Sequence, residues 1–435
     1  MYNESYYSHA GQGRITQCFH GCLHCNVGGA QMNDKAYWIW LQKALGTGVK
    51  TDEIVAYYKT AKEIYFASPE DRGRSGVFTK LQLQKLKETP LEVIDQVIED
   101  CRKCGCRVLT PDSEKYPEKL RQIRNFPLVL YYYGNPDILK DRMTIAIVGT
   151  RNATKAGLTT AHRLSYSLVK SGAVVVSGGA FGIDGASHLG ALNGDGETVA
   201  VLGCGFMAKY HDSAENLKKD ILRKGLIITE HPPATPAHAS YFPVRNRIIS
   251  GLSYGVVVVE CPIKSGSVIT AKCALEQGRE VFAVSVNVLD SQNTGTIDLL
   301  RRFNAIPVYS CSDVLSVFEF TRPGLLDYSK IDSSPLYESA GEIDFSAVTK
   351  TSHKKQIETK DNKEIKETKE TKNEVLKLTG NAETVYKVLS DKPMHIDDIT
   401  RNIPSLSVGR IMVSLTQLEM EGLVVSDSGK KYRRK

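Results

Sequence analysis

Two arginines and an asparagine stand beside an aromatic pair in the segment 241–251, YFPVRNRIISG. A guanidinium stays charged at physiological pH and is rarely fully buried without a partner, so Arg245 and Arg247 each need an anion or a carboxylate. Phe242 adds a flat π face, and fixed cations with flat faces are what a single strand of nucleic acid requires. The segment predicts either a phosphate-binding site or a structural ion-pair cluster around a packed Phe242. Asn246 is then either a direct contact or a backbone-capping amide.

The elements that must position this segment alternate between short apolar runs and helical patterns. Six runs are apolar throughout, which is typical of parallel strands that helices cover on both faces. They are residues 144–148, 173–176, 198–202, 226–229, 255–259 and 280–284. The sequence therefore predicts an α/β, Rossmann-like, mostly parallel sheet over residues 126–320. Ligands of such sheets bind outside the carboxyl ends of the strands, at a topological switch point.

Glycines follow several of these strands, where the chain should turn into the next helix. The turns are residues 149–151, 177–184, 203–205 and 265–267. Glycine lets backbone N–H groups approach an anion without a Cβ in the way. One such turn is often purely steric, whereas four at one sheet edge, with Arg151 nearby, suggest repeated anions. None is a full G-x-G-x-x-G with a ribose-binding acid downstream, so we expect no nicotinamide or other cofactor.

Composition excludes several classes of protein. The chain has 435 residues, 41% of them hydrophobic and 24% charged, as in ordinary soluble proteins of two or three domains. Its longest apolar runs are much shorter than the roughly 20 residues that span a bilayer, and nothing resembles a secretory signal. We therefore expect a cytoplasmic protein with no membrane partner. The net charge of +7 permits nucleic-acid binding without requiring it.

The ten cysteines are expected to remain reduced in that compartment. Two groups have metal-like spacing, namely Cys18, Cys22 and Cys25, and Cys101, Cys104 and Cys106. Short motifs of this kind match by chance, so we expect no bound metal. Residues 1–31 are glycine-rich without helical or strand periodicity, and a capped helix start follows Met32. Our hypothesis is that Met32 is the natural start and that residues 1–31 are an extension.

Two further regions flank the predicted sheet. Residues 32–125 should form a small α-helical domain, because apolar residues recur there at spacings of three and four. Residues 321–378 are predicted to be a charged flexible linker, since the mixed-charge run 363–372 cannot bury a core.

Residues 379–435 have the pattern of three helices and a hairpin, which predicts a winged helix. Its third helix carries Arg410 but also Glu419 and Glu421, which would repel phosphates, while the last six residues, KKYRRK, are basic. Contact with duplex DNA and contact with a protein are equal alternatives for this domain.

Five motifs stand in a characteristic order: Gly149-x-Arg151, SGGAxGID at 177–184, VLGxG at 201–205, FPxRNRIISGL at 242–252 and SGSxITA at 265–271. In this order they resemble the DNA-processing protein A family (DprA, also called Smf), over about residues 116–318. The resemblance implies an extended Rossmann-like fold that binds single-stranded DNA in a basic pocket. It also implies a homodimer that delivers the strand to the RecA recombinase during natural transformation.

The resemblance further implies the residues of the DNA pocket. We expect DNA contacts from Arg151, Gly178, Gly179, Phe242, Arg245, Asn246, Arg247, Ser265, Gly266 and Ser267. The chain departs from the family in three places. Thr154 and Ala156 stand where a Ser and a Tyr are usual, and Gly295-Thr296-Ile297 stands where Gly-x-Asn is expected. In the loop after Gly205, where an Asp and a later Tyr-Pro are common, the chain has Phe206, Tyr210, His211 and Asp212. Lys209 could bind DNA from this loop in place of the family's usual residues.

The predicted function is non-catalytic: binding and protecting incoming single-stranded DNA and loading RecA in competence and recombination. The rival is an enzyme of related fold, a nucleoside-monophosphate phosphoribohydrolase, with Glu260 at the end of a buried strand as catalytic base. Those enzymes carry a Pro-Gly-Gly-x-Gly-Thr loop, whereas this chain has Lys264-Ser265-Gly266-Ser267. Release of free base from nucleoside monophosphates would favour the enzyme. Asp184 is expected to orient its own loop.

Overall fold

The computed structural model describes residues 34–208, 215–284, 291–336, 343–349, 381–404, 406–420, 423–427 and 431–434. The described residues fall into two compact units, one ending at residue 349 and the other beginning at 381. The proposed extension at residues 1–31, the Cys18 group and Lys209 lie outside them. No described helix is both long and apolar enough to cross a bilayer.

Six helices open the first unit: α1 Asp34–Leu45, α2 Thr51–Tyr58, α3 Ala61–Phe66, α4 Pro69–Arg74, α5 Lys80–Glu88 and α6 Val93–Cys104. Local sequence sets several of their ends. The Thr79 side chain accepts a hydrogen bond from the Gln82 amide, and the Gln82 side chain accepts one from the Thr79 amide, which is a capping box. α1 is apolar almost all round and is buried by the helices about it, with Trp38 and Trp40 at its centre.

In the part of this unit that the structure describes, nine strands form a central sheet: β1 Arg107–Leu109, β2 Leu130–Gly134, β3 Thr144–Val148, β4 Val174–Ser177, β5 Thr198–Leu202, β6 Leu226–Thr229, β7 Gly255–Val258, β8 Glu280–Val284 and β9 Ile306–Val308. Its strand order is β1-β2-β6-β5-β4-β3-β7-β8-β9. β1 and β2 are antiparallel to their neighbours and the other pairs are parallel. The predicted Rossmann-like, mostly parallel sheet is therefore confirmed.

The helical region ends earlier than the predicted residue 125. β1 pairs with β2 from Arg107 onward, and Leu120 and Ile123 lie in a core beneath the sheet, so residues 107–125 belong to the sheet domain. A three-residue edge strand is too short to show a period in the sequence, which explains why this boundary was misplaced.

Among the described residues, eight helices accompany the sheet: α7 Glu118–Arg121, α8 Lys155–Lys170, α9 Ile183–Asn193, α10 Glu215–Lys224, α11 Tyr241–Gly251, α12 Gly266–Glu276, α13 Thr294–Arg302 and α14 Cys311–Leu315. Successive residues of β3 belong to different cores, Ile145 and Ile147 to one and Ala146 and Val148 to the other. Helices thus cover both faces of the strand, as its unbroken apolar run predicts.

The topology places a crevice beside β3. After β3 the chain continues through β4, β5 and β6 on one side, and it then crosses to β7 on the other side of β3. Loops leaving the carboxyl ends of β3 and β7 therefore diverge, which is the switch point at which such sheets bind ligands.

The segment after residue 320 differs from the predicted linker. Phe345 and Val348 are buried in a core of the first unit, and the Val348 carbonyl accepts a hydrogen bond from the Gly182 amide at 2.9 Å. A few apolar residues in a polar stretch attach this segment to the core. The described part of the predicted linker 321–378 therefore packs on the sheet unit; it comprises residues 321–336 and 343–349.

The second unit contains α15 Asn381–Val388, β10 Met394–His395, α16 Ile396–Asn402, α17 Val408–Met420, β11 Val424–Asp427 and β12 Lys431–Arg434. β12 pairs with both β10 and β11, and Ile399, Ile411 and Leu415 lie in the core beneath them. Three helices and a small sheet in this order confirm the predicted winged helix.

Candidate functional site

A cleft of about 290 Å³ lies at the switch point between β3 and β7. Seven of the predicted contacts line it: Arg151, Phe242, Arg245, Asn246, Ser265, Gly266 and Ser267. Thr150, Asp184 and Thr270, which were not predicted as contacts, line it too. The cleft therefore collects residues from three turns and from α11 at one edge of the sheet.

Two guanidinium groups flank one aromatic ring in this cleft. The Cζ atom of Arg151 is 5.1 Å from the centre of the Phe242 ring, and that of Arg245 is 5.9 Å from it. Arg151 is exposed, Phe242 is half-buried and Arg245 is buried. The ring quadrupole attracts both cations, which offsets part of their mutual repulsion and holds two positive charges at the cleft.

Arg245 also organises the turns beneath the cleft. Its side chain is only 6% exposed, and Nη1 donates to the carbonyl oxygens of Gly178, at 2.7 Å, and Val201. Buried Asp184 lies close by, and burial raises the pKa of its carboxyl to about 6 although the charge of Arg245 opposes the shift. The guanidinium thus fixes the ends of β4 and β5 and brings a positive charge to a partly desolvated cleft.

Gly178 and Gly179 do not line the cleft. A Cβ on Gly178 would lie 2.5 Å from Asp184 Oδ2 and 2.6 Å from Arg245 Nη1. Gly179 has a φ of +69°, a left-handed conformation that side chains rarely adopt. These two glycines are required by space and by backbone conformation, and their role as DNA contacts stays a prediction.

Arg247 points away from the cleft. It forms an ion pair with Glu230 at 2.7 Å, and both side chains are only 5% exposed. Residues i and i+2 of a helix project from nearly opposite faces, so Arg245 and Arg247 cannot both face one ligand from α11. The predicted phosphate contact from Arg247 is therefore corrected to a structural ion pair, the alternative that the sequence left open.

Asn246 connects α11 to the turn at residues 265–267. Its Nδ2 donates to the Gly266 carbonyl at 3.0 Å, while the residue also lines the cleft. Ser265 caps the eleven-residue helix α12 by accepting a hydrogen bond from the Ser267 amide at 3.2 Å. The exposed start of a helix carries partial positive charge and unpaired N–H groups, which suits an anion.

Glu260 holds the Arg151 loop from behind. Its carboxylate accepts hydrogen bonds from the Thr154 hydroxyl at 2.7 Å and from the Thr154 amide, and Thr154 caps α8. The Glu260 carbonyl also accepts a bond from the Thr150 amide at 2.7 Å. Glu260 does not line the cleft, and its carboxylate is already occupied in positioning the loop. This positioning pair was missed in the sequence, although a hydroxyl at Thr154 was the available signal.

The second group of cysteines lies at the end of α6. Hydrogen bonding from Cys106 lowers the pKa of the Cys104 thiol to about 6. In the part of the chain that is described, no cluster of His, Cys, Asp or Glu has the geometry of a metal site.

The fold and the cleft define a Rossmann-like protein with a crevice lined by basic residues at its switch point and a winged helix at its C-terminus. Residues 107–319 match the family model described as DNA recombination-mediator protein A, and residues 370–430 match the DprA winged helix domain. The chain belongs to the DNA recombination-mediator protein A family.

Relatives extend this match to almost the whole chain. The DNA processing protein DprA of Bacillus subtilis (strain 168) is 39% identical over 221 residues, which cover 51% of this chain and 74% of that protein. Protein Smf of Synechocystis is 30% identical over 412 residues, 93% of this chain and 99% of that protein. A solved structure, DNA processing protein A from Streptococcus pneumoniae, superposes with a TM-score of 0.57 at 30% identity, covering 66% of this chain and 98% of that one.

Proposed function

We propose that this protein binds single-stranded DNA in the cleft, without cleaving it, and as a cytoplasmic homodimer delivers the strand to RecA during DNA processing and natural transformation. The observation that carries the binding step is the pair of guanidinium groups on the Phe242 ring at the switch point. Membership of a recombination-mediator family supports the delivery step.

Each part of the cleft has a distinct task in this proposal. Exposed Arg151 contacts a phosphate directly, and the N-terminus of α12, with Ser265 and Ser267, binds another. Buried Arg245 holds the turns and adds positive charge. The half-buried Phe242 ring stacks against a base, a contact worth about 1–3 kcal/mol in single-strand binders.

The catalytic base named for the enzymatic alternative is already engaged in hydrogen bonds elsewhere. This residue, Glu260, holds Thr154 and does not reach the cleft. Incubation with nucleoside monophosphates tests it directly, and we expect no release of free base.

The winged helix is proposed to make an accessory contact with a protein or with duplex DNA. Two of its basic C-terminal residues already have partners within the unit: Arg433 pairs with Asp427 at 3.0 Å, and Arg434 donates to the Tyr386 carbonyl at 2.7 Å. Its exposed Arg410 and Glu419 carry opposite charges, which suits a protein surface as well as a phosphate backbone.

A salt titration with oligothymidine tests the binding site. Log affinity should fall with log salt at a slope of about −0.7 per phosphate neutralised. Replacing Arg151 by Ala should weaken binding and make this slope shallower by about one such step. The matched control is Arg223→Ala, which removes an exposed arginine from the last turn of α10, away from the cleft. Equal slopes for wild type and Arg151→Ala would contradict the assignment.

A further inference from the structure

A second group of cations lies at the edge of the sheet opposite the cleft. Lys119 is in α7, Arg279 immediately precedes β8, and Arg322 follows a short helical turn at 316–318. They surround Tyr254, which immediately precedes β7. A strand of five residues is about 16 Å long, so this cluster and the cleft are separate sites.

Two of the three cations lie over one aromatic ring, and the third is bonded to the backbone of one of them. Lys119 Nζ is 4.6 Å from the centre of the Tyr254 ring, and Arg322 Cζ is 5.2 Å from it. Arg279 joins them by donating from Nη2 to the Lys119 carbonyl at 3.0 Å. Tyr254 therefore gathers cations in the same way that Phe242 does in the cleft.

Nearby Asp141 offsets the charge of this cluster only in part. None of the three cations forms an ion pair with a carboxylate among the described residues, and Asp141 and Glu319 are the acids nearby. Lys119 is only 8% exposed, and its Nζ reaches no more than two carbonyl oxygens at 3.4 Å. The Nε atom of Arg279 is buried without a partner in the described structure.

The electrostatic cost of the arrangement is visible on the cations themselves. Burial, with a further contribution from the charge of Arg279, lowers the pKa of the Lys119 ammonium to about 8. Burial lowers the pKa of Arg279 too, and the charge of Arg322 acts in the same direction. Mutual repulsion of this kind is relieved when an anion binds between the cations.

We propose that Lys119, Arg279 and Arg322 form a second anion site, which binds a phosphate oxyanion. Planar guanidinium groups match the geometry of a phosphate, and the unpartnered Nε of Arg279 supplies a donor for it. The phosphate belongs either to a strand that extends beyond the cleft or to a free phosphate compound. Only the first of these sources depends on the function proposed above.

The double variant Arg279→Gln/Arg322→Gln tests the site, because it removes two charges and leaves buried Lys119 in place. Arg223→Gln/Arg301→Gln is the matched control, since it removes two exposed arginines from α10 and α13. The first measurement is the rise in the thermal midpoint when inorganic phosphate replaces chloride at equal ionic strength. We expect wild type and control to rise equally and the cluster variant to rise less. If the double variant fails to fold, Arg322→Gln, which changes an exposed side chain, replaces it.

Oligothymidine binding distinguishes the two sources of phosphate. If the strand supplies it, the cluster variant has a salt slope shallower than the control by about 0.7 for each phosphate that it no longer binds. An unchanged slope with a reduced response to inorganic phosphate assigns the site to a free phosphate compound. If the variant matches the control in both measurements, the site does not exist. A wild type that ignores oligothymidine but responds to phosphate through these residues would contradict only the function proposed for the cleft.

Discussion

At the scale of single residues, the two arginines of the RNR signature do different work. Arg245 brings its charge to the cleft while it holds the ends of two strands, and Arg247 is buried in an ion pair with Glu230. The burial of an ion pair contributes little net stability, but removal of one partner leaves the other charge buried and unpaired. Substitution of Arg245 should therefore reduce DNA binding, whereas substitution of Arg247 should reduce the free energy of unfolding.

Replacing Arg247 by Ala should lower the free energy of unfolding by about 3–5 kcal/mol, because the Glu230 carboxylate is left buried alone. Urea denaturation measures this decrease. The double variant Arg247→Met/Glu230→Leu removes both charges and should recover much of the stability. Arg151→Ala, which changes an exposed side chain, should unfold almost as the wild type does. An Arg247→Ala protein of normal stability with weakened DNA binding would instead place Arg247 at the ligand.

We predict that Asp184 makes binding in the cleft depend on pH. Its folded-state pKa of about 6 is above its ordinary value of 3.8. Its contribution to stability is therefore full below the unfolded value and is lost as the pH rises through about 6. Protonation also removes a negative charge from the cleft, so the affinity for oligothymidine should increase as the pH falls through this value.

The Asp184→Asn variant isolates that effect. Its affinity at neutral pH should exceed that of the wild type, and the step near the pKa of Asp184 should disappear from a binding titration. A step of unchanged size in Asp184→Asn would show that another group titrates.

At the scale of elements, apolar strands were predictable and the orientation of the RNR segment was not. Unbroken β-branched runs identified the parallel strands, because both of their faces are buried. The same reasoning could not show that residues 241–251 form a helix, since Pro243 and two arginines obscure its period. Once α11 is known, the opposite directions of Arg245 and Arg247 follow from helical geometry. β1 and β9, of three residues each, were too short to recognise.

The turn after β5 determines where α11 places its aromatic residue. A Cβ on Gly203 would lie 2.8 Å from Cδ1 of the Phe242 ring, so Gly203→Ala should displace the ring and weaken oligothymidine binding. The thermal midpoint should change little while the affinity for oligothymidine decreases, because the backbone at Gly203 has no positive φ. Gly73→Ala is the matched control, since its Cβ would meet nothing within 4 Å. Normal binding by Gly203→Ala would show that the position of this ring is unimportant.

At the scale of the whole molecule, the described residues place the hydrophobic core of the winged helix apart from the cores of the first unit. The winged helix has its own core, and about 55 residues are few for a stable domain. The two compact units should therefore unfold in separate transitions, with the winged helix melting first.

Calorimetry of the full chain, with one buried leucine shortened in each unit, tests this. Leu415→Ala in α17 should lower the temperature of the first transition only, and Leu164→Ala in α8 that of the second only. In each case the free energy of unfolding of the altered unit should fall by about 2–5 kcal/mol. Both side chains are fully buried, so the two variants are controls for each other. A common shift of both transitions would contradict independent unfolding.

α1 contacts the ion pair between Arg247 and Glu230. The N-terminal helices, which carry no candidate ligand of their own, therefore affect the stability of the candidate site. Gln42 donates to the Glu230 carbonyl at 2.7 Å and accepts a hydrogen bond from the Tyr131 hydroxyl. The packing of α1 at this point excludes water from the ion pair between Arg247 and Glu230. The pair therefore lies in a medium of low dielectric constant, where charges interact most strongly. Water admitted through a gap at Gln42 would weaken the pair and loosen the helix that carries Phe242 and Arg245. A relative in which other residues replace the N-terminal helices should therefore still cover Glu230 and exclude water from it.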